Sequence, residues 1–323
     1  MRIQPFRVVI SLGWLVCVCL VAGAAAQDNR ETPAHSARLQ SVVDNAVQST
    51  LTHFAGQKLQ TNQLAVTLVD LRDPLHPVQA SYRGDAQVYP ASVVKLFYLV
   101  AAHRWMEDGK IEDTEELRRA MKDMIVDSYN EATHYVVDVL TGTTSGPELP
   151  RAELDEWFEK RNAVNRHFAA LGYTNINANK KPWCEGPYGR EMQSIKIQKP
   201  NRNMLTTDAT ARLLSEIVTD KSVSPTRSAE MRKLLQRDPA KKSPGTEEPD
   251  QSADFTAPAL PPGAKLWSKA GWTSETRHDA ACVELPNGAR FVLVTFTVGH
   301  ANEREIIPAL ARAIVSALAS DRK

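Results

Sequence analysis

Apolar residues recur at helical spacing over residues 37–54, where Leu39, Val42, Val43, Ala46, Val47 and Leu51 share one face before Gly56. The run Leu64-Ala65-Val66-Thr67-Leu68-Val69-Asp70-Leu71 is continuous instead, which predicts a buried strand; Asp73-Pro74 turns it and residues 78–82 return as its hairpin partner. An almost uniformly apolar helix opens at Ser92 and runs to about Glu107, where Asp108-Gly109 closes it. Residues 113–124 predict a charged helix with Leu117 and Met121 inward. After the polar break Asp127-Ser128-Tyr129-Asn130, residues 132–140 and 154–171 predict two more helices, ended by Gly142 and Gly172. Residues 173–203 have no period, and a run this long inside a domain is a functional loop or a loose one; Tyr173, Trp183 and Tyr188 favour an ordered loop. Thr206-Thr207-Asp208 caps a helix over 209–219, and a short helix follows over 228–236. Residues 238–262, with six prolines and five acidic residues, are expected to form a surface excursion. Strands over 265–269, 276–284 and 290–298, the last two joined at Pro286-Asn287-Gly288, precede a helix over 303–318. Strands and a helix at both ends thus flank a helical middle. That order predicts an α+β protein in which the two termini build one sheet and an all-helical lobe is inserted between them.

The helix at Ser92 carries the chemistry. Ser92 and Lys95, three apart, lie on one helical face one turn apart. A serine hydroxyl is a weak nucleophile until a base takes its proton, and a lysine amine can do so when burial depresses its pKa. Val93, Val94, Leu96, Phe97, Leu99 and Val100 surround Lys95 with apolar neighbours, a costly place for an ammonium unless polar groups meet it. A helix-capping serine beside a surface lysine is the plainer alternative.

The chain has 323 residues, 42% of them hydrophobic and 24% charged, which is enough for a sizeable core. A net charge of +1 argues against a nucleic-acid partner. Arg2 and Arg7, the apolar stretch 8–21 and Ala24-Ala25-Ala26 have the parts of a signal peptide over residues 1–26. The rest, 27–323, is expected to be one exported domain, periplasmic or secreted, monomeric and without a membrane anchor once the leader is cleaved. Cys184 and Cys282 are the cysteines left beyond that leader, and they either pair or remain buried thiols. The eight histidines are scattered, with no H-E-x-x-H or close His/Cys set, and no metal or cofactor is expected.

Two further motifs join Ser92 and Lys95. Ser128-Tyr129-Asn130 supplies a second hydroxyl and an amide from a break between helices; Lys269-Ala270-Gly271 supplies a charge and a close backbone approach at a strand end. With S-x-x-K, this set resembles the signature of the penicillin-recognising serine hydrolases, the class A β-lactamases most closely. The resemblance spans nearly all of the chain from residue 37 to about 318. It implies a five-stranded antiparallel sheet flanked by terminal helices, from about 37–88 and 263–319, and a helical lobe over about 92–236. It implies Ser92 as nucleophile, Lys95 as its activating partner, Ser128 as proton carrier and Asn130 as substrate amide ligand. Backbone N–H groups of Ser92 and Trp272 would form the oxyanion hole.

This sequence also departs from that pattern. Tyr129 stands in place of the usual Asp, and Ala270 in place of Thr or Ser removes a hydroxyl that in the family meets the substrate carboxylate. Arg277, with Thr273 nearby in sequence, is expected to take over that carboxylate. Only 32 residues separate Lys95 from Ser128, which predicts a more open pocket. The loop that should carry the deacylating glutamate reads Lys181-Pro182-Trp183-Cys184-Glu185-Gly186-Pro187-Tyr188, and Glu185 is expected as the base, with Glu191 in reserve. The function implied is hydrolysis of β-lactams through an acyl-enzyme. The alternatives are a peptidoglycan D,D-peptidase-like hydrolase with the same Ser–Lys machinery, and a non-catalytic relic that binds a cell-wall or antibiotic ligand.

Overall fold

The computed structural model describes residues 33–183, 186–197, 201–243, 245–246 and 248–320, so the signal peptide expected over residues 1–26, Cys184 and Glu185 lie outside the described residues. The described residues form one compact unit. Helix α1 (Ala37–His53) starts where the Ser36 hydroxyl accepts the Leu39 N–H, and buries Leu39, Val43, Ala46, Val47 and Thr50 on one face. Strand β1 (Ala34–His35) precedes it. Strands β2 (Leu64–Asp70) and β3 (Val78–Tyr82) form the expected hairpin, and β2 is buried at every residue because it lies inside the sheet.

The helical lobe follows as α2 (Lys95–Glu107), α3 (Glu115–Lys122), α4 (Asn130–Thr141), α5 (Arg151–Arg161), α6 (Ala163–Ala170), α7 (Gly189–Ile197), α8 (Thr207–Val218) and α9 (Pro225–Leu235). The chain then returns through β4 (Gln236–Arg237), β5 (Lys265–Trp272), β6 (Thr276–Glu284) and β7 (Arg290–Val298) to α10 (Ile306–Ser320). No helix among the described residues is long and apolar enough to cross a membrane.

The sheet order is β1-β3-β2-β7-β6-β5-β4. The sequence predicted five antiparallel strands; two two-residue strands extend the edges to seven, and β1 pairs with β3 in parallel. Alternate residues of β6 explain how the sheet is held. Ala280 and Cys282 face the lobe-side core with α2 and α8, whereas Ala281 and Val283 face the core of α1 and α10. Cys282 is a free thiol, fully buried, with burial pushing its pKa up to about 12.

Three expectations change. The helix predicted over 154–171 is two, broken at Asn162, whose side-chain N–H donates back to the Phe158 carbonyl (3.0 Å). The segment 173–203, expected as a loop, contains α7 among its described residues. The excursion 238–262 is not at the surface throughout: Gln251, Ala253, Asp254, Phe255, Thr256 and Ala257 are buried against the edge and face of the sheet.

Candidate active site

Every residue from Pro90 to His103 is buried except Ser92. Ser92 lies in a 3-10 turn (Ala91–Val94) that runs directly into α2. Such a turn has three residues per revolution, so the side chains of Ser92 and Lys95 eclipse each other. The turn is strained at its entry, where Ala91 has φ +45°. His278 of β6 supports it from beneath. The Thr297 N–H donates to His278 Nδ1 (3.1 Å), so the proton lies on Nε2, which donates to the Tyr89 carbonyl (2.9 Å). Burial lowers the His278 pKa to about 4, and the ring is therefore neutral.

Lys95 is fully buried and its amine is met by polar groups, as its cost requires. It donates to the Ser128 carbonyl (2.5 Å) and Asn130 Oδ1 (2.8 Å), and approaches Ser128 Oγ at 3.3 Å. Ser128 reaches this position because a π-helical turn, Asp123–Asp127, ends in Ser128 itself at φ +61°. The bond to Oδ1 turns the Asn130 N–H donors away from Lys95, and Asn130 is the first residue of α4. Tyr129 between them is 58% exposed.

Lys269 approaches Ser128 Oγ from the sheet side at 3.0 Å. Its amine also donates to Gln251 Oε1 (2.5 Å) and to the Ala270 carbonyl (2.7 Å). Burial, followed by repulsion from Lys95 and Arg237, holds its pKa well below the ordinary lysine value. Lys95 and Lys269 thus converge on one hydroxyl.

Gly271 lets β5 press against the Ser92 turn. A Cβ there would lie 2.8 Å from both Ser92 N and the Pro90 carbonyl oxygen. The ladder also fixes the direction of the next N–H. Thr273 N–H bonds the Thr276 carbonyl, so in the antiparallel alternation Trp272, paired with Arg277, directs its N–H to the open side of β5, as Ala270 does. The oxyanion donors expected at Ser92 and Trp272 therefore belong to adjoining backbone segments. The Thr273 hydroxyl caps the turn, accepting from Glu275 N–H and Thr276 N–H. A groove of about 540 Å³ continues beside this turn, lined by Tyr89, Arg202, Thr273, Ser274 and Glu275.

Two expected substrate ligands are placed otherwise. The Ala270 methyl packs in an apolar cluster with Phe255 and Ile307. Arg277 is 2% exposed, donates to the Asp254 carbonyl (2.8 Å) and lies over the Phe255 ring at 4.2 Å. The buried half of the 238–262 segment covers it, which counts against Arg277 as an open carboxylate ligand. Glu191 is fully buried in a cage: Arg161 at 2.8 Å, Lys180 at 3.5 Å, and the Ser145 hydroxyl donating at 3.0 Å. That carboxylate anchors the loop and is not available as a reserve base. Glu185 lies outside the described residues.

Gln251 and Arg237 carried no signal in the sequence. Both reach the carbonyls released at the end of the π-helical turn: Arg237 Nη2 donates to the Ile125 carbonyl (2.9 Å) and Gln251 Nε2 to that of Val126 (2.9 Å).

Residues 113–318 match the family model described as the Beta-lactamase enzyme family. The chain belongs to that family. Solved structures agree on the fold of this β-lactamase-family protein. A β-lactamase from Sphaerobacter thermophilus is 19% identical, with a TM-score of 0.61 over 88% of this chain and 99% of that one. A mutant of PBP-A, in an acyl-enzyme complex with penicillin G, is 18% identical with a TM-score of 0.60, over 86% and 97%. A β-lactamase from Xanthomonas campestris is 15% identical with a TM-score of 0.61, over 84% and 97%. No curated protein matches the chain.

Proposed function

We propose that this protein is a serine hydrolase that opens β-lactam amide bonds through an acyl-enzyme at Ser92. The observation that carries the reading is the convergence of Lys95, Ser128, Asn130 and Lys269 beside the one residue of a buried run that keeps some exposure. Lys95, as the neutral amine, takes the Ser92 proton while Oγ bonds the lactam carbonyl carbon. With Lys269 as the ammonium on Ser128, repulsion from it favours the neutral amine at Lys95. The N–H groups of Ser92 and Trp272 stabilise the developing oxyanion, an effect of roughly 3–4 kcal/mol per donor. Ser128 delivers a proton to the lactam nitrogen as the C–N bond breaks, and Asn130 holds the substrate amide. Substituents on the acyl half run into the groove beside Tyr89 and Thr273.

Deacylation divides this reading from a D,D-peptidase-like one. The described carboxylate of the loop, Glu191, is committed to Arg161 and Lys180, which leaves Glu185 as the base proposed from the sequence. The penicillin acyl-enzyme of PBP-A, a neighbour in fold, makes a lasting adduct the natural second outcome. Intact-protein mass after mixing with benzylpenicillin tests both. Wild type is expected to gain one penicillin and lose it again, and Ser92→Ala to gain none. A stable wild-type adduct supports the peptidase reading; an adduct on the Ala variant, or none on wild type, overturns the proposal.

A further inference from the structure

Lys269 has three polar neighbours and an amine has at most three N–H bonds, so each valence can be assigned. The orientation of the Gln251 amide is fixed by its other contacts. Its Nε2 faces the carbonyls of Val126 (2.9 Å) and Ile125 (3.4 Å), which only accept. Its Oε1 therefore faces the Ala270 N–H (3.3 Å) and Lys269 Nζ (2.5 Å). The Ala270 carbonyl also only accepts. Two N–H bonds of Lys269 are thus committed, and the third valence falls on Ser128 Oγ at 3.0 Å.

We propose that Gln251 is a positioning residue for the reaction: with the Ala270 carbonyl it fixes the Lys269 amine so that its remaining N–H is aimed at the Ser128 hydroxyl. This rests on the reading of Ser128 as the proton carrier. As the C–N bond of the substrate breaks, the nitrogen takes the Ser128 proton. Ser128 Oγ takes a proton from the Lys269 ammonium, and Lys269 is left as the neutral amine until solvent reprotonates it. The residue type matters as well as the place. The charged groups facing Lys269 are Lys95 from α2, Arg237 from β4 and Asp279 from β6. Among the described residues no carboxylate lies within hydrogen-bond distance of its amine. Gln251 provides an acceptor without a charge, so the ammonium remains a strong acid toward Ser128; glutamate in its place would hold the proton on Lys269.

The test uses the full chain with Gln251→Leu and Gln251→Glu. Carbon-13 at lysine Cε, with the Lys269 signal assigned through Lys269→Arg, gives the titration midpoint of Lys269 directly. In Gln251→Glu that midpoint is expected to rise by about one pH unit or more. The alkaline limb of benzylpenicillin acylation should rise with it, a shift that a merely structural glutamine would not produce. Gln251→Leu is expected to slow acylation about tenfold or more with little change in KM. An unmoved Lys269 midpoint in Gln251→Glu, or a wild-type acylation rate in a folded Gln251→Leu, overturns the proposal. If Gln251→Leu does not fold, the near-isosteric Glu variant decides alone. A wild type that no penicillin acylates refutes the β-lactam reading, and the Lys269 titration then still decides whether Gln251 governs that amine.

Discussion

Gly271 stands where a single methyl group would meet three backbone atoms, of Pro90, Ser92 and Val93, at 2.8–3.0 Å. Two of them belong to the turn that carries Ser92, and backbone cannot swing aside as a side chain can. Gly271→Ala therefore has to push β5 and the 3-10 turn apart, which separates the Trp272 N–H from that of Ser92. A misplacement near 1 Å costs about 10²-fold in rate. Acylation by benzylpenicillin is expected to fall by about that factor, with a thermal midpoint that shows the variant folded. A wild-type acylation rate would place the oxyanion donors elsewhere. The motif around Gly271 was visible in the sequence because its residues are adjacent. So were Ser92 with Lys95, and Ser128 with Asn130. Gln251 and His278 were not, because each acts through partners more than a hundred residues distant or on a strand whose pairing no local pattern gives.

Helices whose apolar residues recur every three or four positions were legible to within a few residues, α1 and α8 among them. Helix α7 was not, and its burial explains why: the side chains it turns inward are Glu191 and Ser194, so it has no apolar stripe to read. The partners of its buried carboxylate are ionic. Arg161 and Lys180 meet Glu191, Lys181 bonds Asp138 at 2.7 Å, and Arg161 itself is 1% exposed. A ladder of asparagine amides fastens the rest of the loop: Asn165 to Asn177 at 2.7 Å, Asn177 to Asn201 at 2.9 Å, and Asn203 to the Lys180 carbonyl at 2.7 Å. Hydrogen-bonded and ion-paired side chains hold this segment without any hydrophobic period. Glu191→Gln removes the charge that compensates Arg161 and Lys180, and is expected to cost about 3–5 kcal/mol. Urea unfolding gives the value directly. A loss below about 1 kcal/mol would mean that water, and not Glu191, offsets those cations.

Two histidines make the stability of the whole molecule depend on pH. His278 lies between β6 and the Ser92 turn, and His103 of α2 faces Glu230 of α9 at 3.5 Å. Burial lowers both from 6.5 to about 4. Between those values the unfolded chain binds two protons that the fold refuses, so stability rises with pH across the window and falls on acidification through it. Above pH 6.5 both are neutral in either state and the penalty is absent. At about 1.4 kcal/mol per pH unit, each histidine accounts for up to about 3 kcal/mol by pH 4, a large part of a typical 5–15 kcal/mol. Lys180 acts in a separate window. Burial lowers it to about 8, and its contribution rises between that value and 10.5. Asp138 and Asp279, both raised by burial, act in the opposite sense on acidification, so the total slope mixes several groups. A difference between variants separates them. A glutamine in place of His278 cannot titrate but can still donate to the Tyr89 carbonyl. His278→Gln is therefore expected to flatten the loss between pH 6.5 and 4 by about one histidine's share. Urea midpoints measured every half pH unit for wild type and His278→Gln check this. Parallel curves would mean that His278 is protonated within the fold. The proton on Nδ1 would then have displaced the Thr297 N–H, and the support beneath the Ser92 turn would differ from the one described.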